Sequence, residues 1–164
     1  RVQVLEATER YGLAVDEPGT FLAVFRGRCR TADVAAMRSH LNAWGSRNPN
    51  VVERRVLVVI ECGSTLGVKG RAEIGAMLRE QTRVKAWANV VEGDGFWAST
   101  VRGMTTTVLL MARPAVTLKT FSQVSDAALW LADAKTSERL TGLVRDLRGG
   151  LGQTDARFST LTEQ

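Results

Sequence analysis

A chain of 164 residues with 45% hydrophobic and 24% charged content can bury one proper core and does not have the composition of a disordered protein. No apolar run approaches the roughly 20 residues of a spanning helix, and no N-terminal signal pattern is visible, although Arg1 in place of Met leaves a removed leader open. The 22 basic residues are scattered among 17 acidic ones, without an aromatic stacking platform or zinc spacing, which weighs against nucleic acid as a partner despite the net charge of +5.

In chain order, residues 1–10 alternate weakly and read as a short strand or an ordered arm. Tyr11 to Val15 and Phe21 to Phe25 read as two strands of a hairpin, joined by the turn Asp16-Glu17-Pro18-Gly19. Thr31 is a suitable N-cap, with Asp33 adding favourable charge in the first turn. Val34, Met37, Leu41 and Trp44 then recur at helical spacing, until Gly45 and Asn48-Pro49 end the helix.

The stretch from Arg55 to Glu73 organises the rest. Val56-Leu57-Val58-Val59-Ile60 is apolar on both faces, the mark of a central strand covered by helices on both sides. It breaks into the turn Glu61-Cys62-Gly63-Ser64-Thr65 and passes into a helix over about 68–82, which Gly70 and Gly75 weaken. Sites in open α/β folds usually lie at such a strand-to-helix edge. Val84 to Val91 is a second internal strand, followed by the turn Glu92-Gly93-Asp94-Gly95. A long helix is expected from Phe96 to Ala112, and Val116 to Phe121 reads as a fifth strand. Ser125 with Asp126 caps a short helix, and Ser137 restarts one whose Leu140, Leu143, Val144 and Leu147 form an apolar stripe. Residues 151–164 read as a loosely ordered tail behind a single domain, 1–150. The expectation is an α/β fold with a mixed, mostly parallel sheet of about five strands and about four to five helices.

The segments FLAVFRGRCRTADVAAM (21–37), RRVLVVIECG (54–63), VKAWANVVEGDGFWASTVRGM (84–104) and VTLKTFSQVSDAALWLA (116–132) resemble, in this order, the STAS domain superfamily and more narrowly the SpoIIAA-like bacterial proteins. The resemblance spans about 11–133 and leaves the helix at 137–148 outside. It implies a small cytoplasmic module that works by binding: antagonising anti-sigma factors, joining signalling complexes or holding small ligands. In the anti-sigma antagonists the strand-to-helix loop carries an Asp-Ser pair whose Ser is phosphorylated. Here the loop Glu61 to Lys69 has no Asp-Ser, and its hydroxyls are Ser64 and Thr65.

Each candidate residue has a functional and a structural reading. A phosphate on Ser64 or Thr65 would be favoured near a helix start, but both hydroxyls also suit turn hydrogen bonds. Asp94 is either a partner or ligand contact or the N-cap of the long helix. Phe96 and Trp97 cannot easily both face inward, so one is a candidate exposed handle. Trp44, Trp87, Trp97 and Trp130 could together line an apolar pocket, or belong to the core. His40 stands without a carboxylate at any diagnostic spacing, and Cys62 without a base. Cys29 and Cys62 form no metal spacing and read as reduced, which favours the cytoplasm. GSTLGVKG lacks the Gly-Lys-Ser/Thr ending of a phosphate loop.

No catalytic, cofactor or metal residue is therefore assigned. The expected function is non-enzymatic regulation or scaffolding through protein contacts. A carrier or sensor of an apolar small molecule or lipid is the alternative. Binding of an anionic polymer through Arg26, Arg28 and Arg30, on one face if the strand continues through them, is a third reading. The helix at 137–148 either packs on the domain or supplies a homodimer seam.

Overall fold

The computed structural model describes residues 1–17, 19–61, 66–93, 95, 99–103, 107 and 116–151. Their elements are β1 (Val2–Ala7), β2 (Tyr11–Asp16), β3 (Thr20–Phe25), α1 (Thr31–Arg47), β4 (Arg54–Ile60), α2 (Val68–Glu80), β5 (Val84–Val91), β6 (Thr117–Phe121), α3 (Val124–Leu131) and α4 (Ala134–Gly150). Residues 99–103 are also helical, within the long helix expected from Phe96, most of which lies outside the described residues. The protein is an α/β fold with one mixed sheet in sequential order, β1-β2-β3-β4-β5-β6. The first three strands run antiparallel, and β3 to β6 run parallel. No helix among the described residues is long and apolar enough to cross a membrane.

The sheet has one strand more than expected because the opening residues form β1. A bulge between Val4 and Glu6 changes which face that strand serves. Val2 and Val4 pack with Ala14 and Leu22, whereas Leu5 packs on the opposite face with Tyr11 and Leu13. Glu6, opposite Leu13, is thereby carried to that second face as well.

Both faces are covered. On one, Phe21, Ala23, Val56, Val58 and Trp87 meet Val34, Met37, Leu41 and Trp44 of α1 and Met77 and Leu78 of α2. On the other, Leu22, Val24, Leu57, Val59, Ala88 and Val90 meet Ala127, Ala128 and Leu131 of α3 and Leu140, Val144 and Leu147 of α4. The apolar stripe of α4 is thus buried within the single chain, so the helix packs on the domain. Gly12 in β2 permits this approach, since a Cβ there would lie 3.0 Å from Leu151 and 3.4 Å from Leu147. Gly19, in the β2–β3 turn, is held more tightly: a Cβ would stand 2.6 Å from the Glu53 carbonyl oxygen.

Three helix starts differ from expectation. Arg30, not Thr31, is the N-cap of α1, because the Asp33 carboxylate reaches back to accept the Arg30 backbone N–H at 2.9 Å. Gln123 precedes α3, so Ser125 and Asp126 lie inside its first turn. Asp133 caps α4 by accepting the Thr136 N–H at 2.9 Å, and Ser137 is buried within the helix.

If α4 is part of the core, Leu147→Ala should cost about 2–5 kcal/mol in urea unfolding, while Arg145→Ala, on the exposed side, should change stability little. Equal, small effects at both positions would show α4 to be dispensable.

Candidate functional site

Strands β3, β4 and β5 end in register, at Phe25, Ile60 and Val91. The ladder continues one step, with Glu61 N–H donating to the Phe25 carbonyl at 3.0 Å and Glu92 N–H to the Ile60 carbonyl at 3.1 Å. Side chains alternate along a strand, so Arg26, Glu61 and Glu92 all point to the face that α4 covers. Arg148, in the last turn of α4, meets them there. Its Nε lies 3.1 Å from Glu61 Oε1 and its Nη2 2.6 Å from Glu92 Oε2. Arg26 Nε completes the cluster at 3.1 Å from Glu61 Oε2, and its Nη2 donates to the Arg148 carbonyl. Four charges from three strand ends and one helix end thus cancel one another. A cation in the last turn of α4 also complements the negative end of that helix.

At the same edge, on the opposite face, a second polar group gathers around α1. Arg10 donates to Asp33 through Nε and Nη2, the shortest contact being 2.8 Å. Burial pushes the Asp33 carboxyl up, but the Arg10 hydrogen bond, the Arg30 N–H and the two nearby guanidinium charges outweigh it and hold the group below the usual carboxylate range. Glu6, delivered by the bulge, accepts from the Tyr11 hydroxyl at 2.6 Å and lies 2.9 Å from His40 Nε2. Burial, then the Glu6 hydrogen bond, raises the Tyr11 phenol well above its ordinary value. His40 therefore does have a carboxylate partner, 34 residues away in sequence and invisible to spacing arguments. Cys29 is half-buried, and burial with the Asp33 charge pushes its thiol up to about 12, so it is not a reactive thiolate.

Ser64, Thr65, Asp94, Phe96, Trp97 and Cys62 lie outside the described residues, in or beside the loops that follow β4 and β5. The arginine stripe is not formed as expected. Strand β3 stops at Phe25, and Gly27, at φ +64°, turns the chain, so Arg26, Arg28 and Arg30 do not share a strand face. Trp44 and Trp87 are buried on one face of the sheet, while Trp130 packs on Phe121 with the other cluster, ring centroids 5.6 Å apart. These three tryptophans do not line one pocket.

No family model matches the chain, and no curated protein or solved structure matches it. Its own geometry is what there is to reason from. Among the described residues, no three His, Cys, Asp or Glu side chains group to hold a metal ion.

The start of α2 stands apart from the satisfied groups around it. Its N-cap is Gly67, without a side-chain cap, and its first turn contains no acidic residue. Instead it presents Lys69, exposed beside Val68, which is 73% exposed. A cation at a helix N-terminus opposes the helix dipole, so this turn is locally unfavourable and strongly electropositive. Arg28 and Arg30, exposed at the neighbouring start of α1, add to that field. The sequence carried this signal in Gly67-Val68-Lys69-Gly70-Arg71, a helix start without any capping acid, and motif reasoning passed over it.

Two outcomes follow. Arg148→Ala should lower stability by about 1–3 kcal/mol, between an exposed and a buried pair, and should speed amide exchange in residues 147–151; protection unchanged there would mean the cluster does not hold α4. Asp33→Asn should cost about 1–2 kcal/mol near neutral pH through the lost charge-assisted pairing with Arg10, since the amide oxygen can still accept the Arg30 N–H. A carboxylate depressed in the folded state contributes stability above its unfolded pKa and loses it as pH falls through the folded value. The wild-type advantage should therefore close in strong acid, and a constant gap in urea melts across that range would refute the assignment.

Proposed function

We propose that this chain is a non-enzymatic regulatory or scaffolding module of the STAS, SpoIIAA-like kind, acting through protein contacts at the edge where the parallel strands end. The observation that supports this reading is the basic start of α2, whose Gly67 N-cap has no side chain and whose first turn holds no acid, beside the exposed arginines of α1. A folded domain that places a cation and no acid in the first turn of a helix gives up stability there, and such local violations concentrate at functional sites. The partner that suits this turn is an acidic segment of another protein, its carboxylates meeting the positive end of the α2 dipole and the side chains of Lys69, Arg28 and Arg30.

The loop of Ser64 and Thr65 immediately precedes α2 in sequence. A phosphate added there would compete for the same field, so a phosphoswitch, if present, would act by masking the docking turn. The carrier of an apolar ligand has weaker support, because Trp44 and Trp87 are core residues on one face and Trp130 lies on the other. The buried stripe of α4 likewise gives no support to a dimer seam.

Native mass spectrometry of freshly purified protein, followed by the same sample denatured, should give a bare mass, and a reproducible extra mass lost on denaturation would establish the carrier instead. Partner capture should then fall about tenfold or more for the Lys69→Glu, Arg30→Glu double variant, a charge-reversal effect. Capture that is indifferent to this change would exclude the α2 start as the docking site.

A further inference from the structure

The opposite edge of the sheet holds a second feature, independent of the docking reading. Here α1 and α2 end and β4 begins, and the gap between them is a groove of about 420 Å³. Arg54, Arg83, Gln81, Thr82, Ser46 and Asn42 are among the residues that line it. We propose that this groove binds a small organic anion, its carboxylate or phosphate lying against Arg54 and Arg83.

The argument begins with Arg54, which is 6% exposed and has no carboxylate within ion-pair distance among the described residues. Its Nη2 donates to the carbonyls of Gly45 at 2.8 Å and Asn48 at 2.7 Å, capping the end of α1. Its guanidinium carbon stands 5.8 Å from the Trp44 ring centroid. Those contacts engage one nitrogen and one face, and Nε, itself sealed from solvent, has no hydrogen-bond partner among the described residues. Buried charges are ordinarily paired, and this one is not. Burial, and after it the charge of Arg83, weakens the hold of Arg54 on its proton, the direction expected of two cations without a counter-ion.

The rest of the lining strengthens the imbalance. Arg83 is exposed and, among the described residues, donates from Nη1 to the Pro49 carbonyl at 3.2 Å. Glu80, the carboxylate in the groove wall, is already engaged by Arg38 and by Asn42. Arg38, with Asn42, holds the Glu80 carboxyl down at about 2, so it stays charged and bound to them rather than free for Arg54. Asn42 in turn accepts from Gln81 Nε2 at 2.6 Å. The exposed hydroxyls of Ser46 and Thr82 add donors at the rim. Donors outnumber available acceptors, and the groove is larger than a bare inorganic ion requires. That combination selects an oxyanion carried on a small organic body.

The test is a ¹H–¹⁵N NMR titration of the full chain with inorganic phosphate and, separately, citrate, at ionic strength fixed with sodium chloride. Saturable shifts at the Trp44 indole and at the Gln81 and Arg83 amides are expected for at least one probe, and which one responds tells phosphate from carboxylate. Arg83→Gln, at an exposed position outside the core, should weaken binding about five- to tenfold, the loss of one charge-assisted contact. Lys69→Glu, at the far edge, should leave it unchanged, so failure here and failure of the docking reading are separable. No saturable shift with either probe, or affinity indifferent to Arg83→Gln, would overturn the proposal.

Discussion

The constraint on which the structure depends is that the central strands are apolar on both faces. Leu22, Val24, Leu57 and Val59 point one way and Phe21, Ala23, Val56 and Val58 the other, all of them buried. A sheet of this kind folds only if a layer of helices covers each side. The crossovers α1 and α2 both lie on one face, as successive right-handed connections wound in one direction must. Among the described elements, only α3 and α4, which follow β6, cover the other face. The helix that lies beyond the family resemblance is therefore as integral to the core as the central strands. Its length also places Arg148 over the strand ends, where Glu61 and Glu92 meet it.

That geometry explains why the two edges of the sheet differ in character. At the edge where parallel strands end, helices α1 and α2 begin, and the positive ends of their dipoles lie there, answered by Asp33 in α1 but by no acid in the first turn of α2. At the other edge the same helices end, and Arg54 donates to carbonyls at the end of α1. Both edges are rich in arginine, but for opposite reasons: at one the cations reinforce the helix field, at the other they answer it. The first arrangement suits docking of an acidic segment. At the second, Arg54 serves α1 with one nitrogen and leaves the rest of a buried cation to a groove.

Much of the fold was legible from residue pattern. Strand Val84–Val91 matches its expected bounds, and Arg54–Ile60 contains the expected run Val56–Ile60, because continuous β-branched and aliphatic runs between turn signals leave few alternatives. Helix starts were less legible, since Thr31, Ser125 and Ser137 all look like caps locally, whereas Arg30, Gln123 and Asp133 hold the N-cap positions. The Glu6–His40 pair was illegible for a different reason. It depends on a bulge at Val4/Glu6 that reverses the face of one residue, and alternation alone places Glu6 on the wrong side. The expected arginine stripe failed at Gly27, where a left-handed residue ends the strand direction that Arg26, Arg28 and Arg30 needed to share a face.

The net charge of +5 gains meaning only after the ion pairs are subtracted. Asp16 is held by Arg139, Asp33 by Arg10, Glu61 and Glu92 by Arg148, and Glu73 and Glu80 by Arg38. These contacts join elements distant in sequence, so the carboxylates serve the fold and are not free on the surface. Outside these pairs, the cations Arg28, Arg30, Lys69 and Arg83 stand near helix ends, at separate positions rather than along a track. A nucleic-acid surface needs many evenly placed contacts to release counter-ions along a backbone. Cations confined to helix ends instead match discrete anionic groups, such as the side chains of one acidic segment or the head of one small molecule. The placement of these cations thus argues for point recognition over polymer binding.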